Sequence, residues 1–233
     1  MSTRKPVNAR FQAASDQSLL IYFGQKITLE ATENVRKLLR LLEAKPIAGI
    51  RNLHPAYCSL LVKFDPLKWW HEDLESKLQG YLDRLEKVKL PEPREIKIPV
   101  CYGGEFGPDL EDVAATHGTT TERVIDLHSS ATYLVYFLGF VPGFAYLGEL
   151  PHELVTQRLP TPRKKVPAGS VGIAGNQTGV YPFETPGGWR LLGRTPLAMF
   201  RADRDGLSLL CIGDRVRFVP ISHERFLELR THE

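Results

Sequence analysis

The stretch VPAGSVGIAGNQTGVYPFETPGGWRLLGRTP, Val166 to Pro196, decides how the second half of this chain is read. Its Gly and Pro content suggests a flexible linker, but linkers of that kind lack large apolar residues. Here Val166, Val171, Ile173, Val180, Tyr181, Phe183, Trp189, Leu191 and Leu192 recur throughout. Period two applied to Ser170–Ala174 sends Val171 and Ile173 to one face and leaves Ser170, Gly172 and Ala174 on the other. A strand with one nearly bare face lets something approach its backbone closely. That something is either a neighbouring strand at a tight barrel corner or a ligand lying on the strand. Three turns then bring polar or aromatic groups: Gln177 after GN, Trp189 after PGG, and Arg194 after a further Gly. Together with Tyr181 and Arg163 these residues are candidates for the rim of one site, floored by Ser170–Ala174.

Working outward, residues from Tyr133 onward are short apolar runs punctuated by Gly and Pro, the texture of a β-barrel. DRVRFVPI, Asp214 to Ile221, reads as a closing strand. Two short helices precede the barrel, one ending at Gly118 and one capped by Thr120 or Thr121. His128 lies near the end of the second. It reads as a capping or core histidine, with acid–base work as the alternative.

The first ninety residues have a different rhythm. A strand at Leu19–Phe23 is followed by a helix with Val35, Leu38, Leu39 and Leu42 on one face, stopped by Pro46. Two strands, Ile47–Leu53 and Tyr57–Phe64, precede a second helix with Trp70, Leu74, Leu78, Tyr81 and Leu85 in register. The order βαββα predicts a small α+β domain of the split-βαβ kind. The charged, Pro-rich KLPEPRE, Lys89 to Glu95, is the expected boundary, dividing a domain of residues 1–92 from a mainly β barrel of residues 93–233. Glu95–Val100 is a strand that either domain can claim.

The chain has 233 residues, a net charge of +3 and a 42% hydrophobic content. Those values describe a globular protein without the concentrated basic face that nucleic acid requires. The N-terminus lacks the apolar segment of a signal peptide, and the longest apolar run is too short to span a bilayer. Cys58, Cys101 and Cys211 are unpaired in spacing and read as reduced thiols of a cytoplasmic protein. No Walker loop, zinc spacing, Rossmann fingerprint or nucleophile elbow is present, so no metal is expected and no catalytic kit is complete in this chain.

The segments GFVPGFAYLGELP, RLPTPRKKVPAGSVGIAGNQTGVYP and TPGGWRLLGRTP resemble one family along essentially the whole chain. It includes the B subunit of the ATP-dependent bacterial 5-oxoprolinase, the kinase inhibitor KipI, and chains labelled allophanate hydrolase subunit 1. The resemblance implies a cyclophilin-like barrel, ATP as co-substrate of the assembled enzyme, and partner subunits C and A. It implies ring opening of 5-oxoproline to glutamate, for which Arg163, Gln177 and Arg194 supply the required group types. It leaves open two other roles, inhibition of a sensor histidine kinase and a urea-carboxylase module that receives biotin from a partner.

Overall fold

The computed structural model describes residues 9–203 and 205–230, and the chain separates into two compact units, Met1–Glu92 and Pro93–Glu233.

In the first unit, β1 (Arg10–Ser15), β2 (Ser18–Tyr22), β3 (Ile50–Pro55) and β4 (Ser59–Phe64) form one sheet in the order β1-β2-β4-β3. All three pairings are antiparallel, so β2 and β3 run parallel to each other on either side of β4. Helix α1 (Leu29–Ala44) starts where Thr28 accepts a hydrogen bond from the Ala31 amide, and its cap Lys45 directly precedes Pro46. Its buried Val35, Leu38 and Leu42 meet Leu74, Leu78 and Leu82 of α2 (His71–Leu82) over the sheet residues Leu19, Ile21, Leu60 and Val62. The helical spacing of leucines thus becomes one apolar layer. β1 is an element that the sequence did not announce.

In the second unit, seven strands close into a barrel. They are β5 (Glu95–Tyr102), β6 (Tyr133–Leu138), β7 (Ala145–Gly148), β9 (Ser170–Ala174), β10 (Gln177–Val180), β12 (Arg190–Arg194) and β13 (Arg215–Pro220). Their order is β10-β7-β6-β13-β5-β12-β9. The strand over Glu95–Tyr102 therefore belongs to the barrel. It pairs in parallel with β13 along its length and antiparallel with β12. Alternation in β13 buries Val216 and Phe218 and leaves Arg215 and Arg217 outside. At the start of this pair Arg94 bridges to the buried Asp214, which also accepts the Cys211 amide at 2.7 Å. A separate ribbon joins β8 (Arg163–Val166) to β11 (Thr185–Gly187).

Helix α3 (Leu110–Thr116) ends at Gly118, whose φ of +61° permits the left-handed turn. Helix α4 (Thr121–Ser130) starts at Thr120, which accepts the Arg123 amide. Leu110, Val113 and Val124 of these helices join Val100, Val135, Leu147, Val171, Ile173 and Phe218 in the barrel core. A last helix, α5 (His223–Arg230), buries Phe226 against Phe106 and Cys101.

Candidate functional site

Strand β9 does have the two faces that period two requires. Val171 and Ile173 enter the barrel core, while Ala174 belongs to an outer cluster with Phe144, Val166, Tyr181, Trp189 and Leu191. What approaches the bare face is the chain's own tryptophan. A Cβ built on Gly172 would lie 3.2 Å from the Trp189 Cβ, and one on Gly179 would lie 3.1 Å from the Trp189 ring and 3.2 Å from Phe144. The glycines are needed so that the indole can lie against the barrel wall. Phe144 meets Trp189 and Tyr181 edge-on, with centroids 5.4 and 5.3 Å apart. Trp189 and Tyr181 retain 4% and 2% of their surface. Burial raises the pKa of the Tyr181 phenol, opposed by a backbone hydrogen bond at Trp189. Both aromatics expected at a rim are instead core residues of the outer cluster.

Arg163 has a partner that its sequence neighbourhood does not reveal. Its Nη2 donates to Asp109 Oδ1 at 2.6 Å, and the other oxygen of this buried carboxylate accepts the Leu191 amide at 2.6 Å. Asp109 thus ties the start of α3 to β8 and β12. Arg163 is committed to that clamp and not free to bind an anion alone.

Gln177 and Arg194 lie at opposite ends of β9. Gln177 stands opposite Ala174 and Arg194 opposite Ser170, a separation of about 13 Å along the strand at ~3.3 Å per residue. One small substrate cannot bridge that distance, so the structure does not bring the expected rim residues together around a lactam-sized site. Arg194 donates from Nε to Ala168 O at 2.7 Å, and among the described residues no protein group takes its terminal nitrogens. Its pKa is lowered by burial first and by the nearby Arg230 second, against the opposite pull of Glu105. A second cation beside a half-buried guanidinium is an arrangement that an anion would relieve.

His128 sits inside the barrel with no exposed surface. Thr178 Oγ1 donates to Gly172 O at 3.1 Å, so it must accept from His128 Nε2, 2.9 Å away. Nδ1 is then the acceptor for the Tyr102 hydroxyl at 2.7 Å. The ring also stacks on Phe218, with centroids 4.5 Å apart. Burial pushes its pKa down to about 3, which keeps the imidazole neutral and both nitrogens occupied. The core reading of His128 holds, and the network gives it no free nitrogen for acid–base work.

Among the described residues no group of three or more His, Cys, Asp or Glu side chains is placed to hold a metal. No helix among them is long and apolar enough to cross a membrane. Asp109, Tyr102 and Thr178 are the residues that the sequence reading overlooked. Asp109 alone had a local signal, a carboxylate just before a helix.

Comparison with known proteins supplies the rest. The profile of the carboxyltransferase domain, subdomain C and D, matches residues 9–210. The chain is 40% identical to the B subunit of 5-oxoprolinase from Bacillus subtilis over 94% of its own length and 96% of the relative's. A solved structure of a conserved uncharacterized protein from Pyrococcus horikoshii is 47% identical, covers 93% of this chain and all of that one, and superposes with a TM-score of 0.56. A longer solved chain, 37% identical with a TM-score of 0.78, is matched over 40% of its length by 88% of this one. The chain therefore belongs to the carboxyltransferase-domain family, subdomain C and D, the family that contains the B subunit of 5-oxoprolinase.

Proposed function

We propose that this chain is the B subunit of a 5-oxoprolinase, which uses ATP to open 5-oxoproline to glutamate in an assembly with a second barrel subunit and a larger third one. The observation that carries this reading is the 40% identity with the B subunit of a 5-oxoprolinase, end to end in both chains. On this reading the barrel is cyclophilin-like, the protein works in the cytoplasm, and it turns over nothing alone.

The chemistry explains why partners are needed. A lactam carbonyl is a poor electrophile, and hydrolysis of its ring is uphill without activation. Transfer of the γ-phosphoryl group of ATP to the lactam oxygen makes the ring carbon electrophilic. Water then adds to that carbon, the C–N bond breaks as nitrogen takes a proton, and phosphate leaves. The substrate carboxylate needs a cation that stays charged, best a guanidinium offering two parallel donors. Arg194 is our candidate for that contact, because its Nε is held by Ala168 O while its terminal nitrogens are available. Gln177 would act at a different point, and Arg163, Tyr181 and Trp189 would shape the wall without touching substrate.

A genetic test separates this reading from a regulatory one. In a bacterial strain that lacks only the B subunit of its own 5-oxoprolinase, this chain should restore growth on 5-oxoproline as sole nitrogen source. A chain that is expressed and co-purifies with the host's remaining subunits, yet restores no growth, would contradict it.

A further inference from the structure

The first unit carries a cleft that the hydrolase reading does not use. It has a volume of about 650 Å³, and it is formed by one face of α2 with the two residues Lys68 and Trp69 that precede the helix. Asp73, Ser76, Lys77, Gly80, Tyr81 and Arg84 recur at the helical spacing that puts them in a single stripe.

Three observations make this more than a solvated helix face. The aromatic walls are held in place: the Trp69 indole donates to Ala48 O at 2.8 Å, and the Tyr81 hydroxyl donates to Lys45 O at 2.7 Å. Gly49, at a φ of +95°, leaves the room that Trp69 occupies, since a Cβ there would stand 2.9 Å from the indole nitrogen. The floor is open at Gly80, an interior residue of α2 where an added Cβ would meet nothing within 4 Å. Packing does not require glycine there, and the helix would be more stable with alanine. Its missing side chain opens the cleft. Finally, among the described residues Lys68, Lys77 and Arg84 have no ion-pair partner, and Asp73 is the single acidic side chain in the lining.

We propose that this cleft binds a phosphorylated small molecule with a planar ring, of nucleotide size. Lys68, Lys77 and Arg84 take the phosphates, with the ring against Trp69 and Tyr81 above Gly80. Aromatic faces accept a planar ring, three unpaired cations against one carboxylate select an anion, and the volume lies in the range of small-ligand sites. The proposal is independent of the reaction assigned to the barrel.

The test is calorimetric titration of the full chain with ADP, adenosine and inorganic pyrophosphate at low and moderate salt. ADP should bind at one site, more tightly than either fragment, and weaken several-fold as salt rises. Lys77→Glu with Arg84→Glu should lose about tenfold or more of that affinity. Gly80→Leu should lose it too, with every charge kept and a melting temperature unchanged or raised. Three results would each overturn the proposal. These are no ADP binding at millimolar concentration, full ADP affinity in both variants, and single-stranded polynucleotide or pyrophosphate binding more tightly than ADP.

Discussion

Replacing His128 by glutamine tests the buried network through its pH dependence. The imidazole has a folded pKa of about 3, whereas an unfolded histidine titrates near 6.5. Between those values the unfolded chain binds a proton that the folded chain refuses. The stabilising contribution is therefore complete above pH 6.5 and is lost as pH falls toward 3. Integrating from pH 6.5 to pH 4.5 gives a loss of about 2 kcal/mol from this one group. Glutamine keeps an amide donor for Thr178 and an acceptor for Tyr102, but it cannot titrate. The two proteins share every other ionisable group, so the difference between their pH profiles isolates His128. The chain has three tryptophans, and replacing Trp69 and Trp70 by phenylalanine leaves Trp189 to report on the barrel. Urea denaturation in that background should show the parent losing about 2 kcal/mol more than the His128→Gln protein over this interval. Equal losses in the two proteins, or an imidazole NMR signal that titrates near pH 6.5 in the folded parent, would refute the network described above.

Asp109→Ala should destabilise the barrel by roughly 3 kcal/mol, because it strands a partly exposed Arg163 and a buried Leu191 amide. Thermal unfolding should then begin about 10 °C lower, and a change of under a degree would remove the clamp from the account. Residues 93–233 expressed alone should fold with β-type circular dichroism and cooperative unfolding, as expected of a unit with its own core; an insoluble or structureless fragment would count against it. In the assembled enzyme Arg194→Ala should lower kcat/KM for 5-oxoproline by about ten- to hundredfold, the value of a charged hydrogen bond. Unaltered kinetics would take Arg194 out of the substrate site, and loss of the partner subunits would make it an interface residue.

Features that repeat locally were legible in the sequence. The leucine spacing of α1 and α2, the cap at Thr120 and the turn at Gly118 each depend on a few adjacent residues. β1 escaped because it lies at the sheet edge with five of its six residues exposed, so RFQAAS carries no alternation. The bare face of β9 was visible, but not its occupant. Period two says which side is empty, and nothing local says that Trp189 folds back to fill it. Long-range pairs were beyond reach for the same reason. The partner of Arg163 is 54 residues away and that of His128 is 50 residues away. Polar residues in Gly-rich turns therefore looked like one rim, although the strand register sets Gln177 and Arg194 at opposite ends of β9.

The most direct measurement of the central claim is turnover by purified components. This chain, co-expressed with the second barrel subunit and the large subunit, is supplied with isotopically labelled 5-oxoproline and ATP, and labelled glutamate and ADP are counted. The account predicts equal amounts of the two products from the complete assembly and no glutamate from this chain alone. Glutamate formed by the single chain, or none from an intact three-subunit complex, would contradict it.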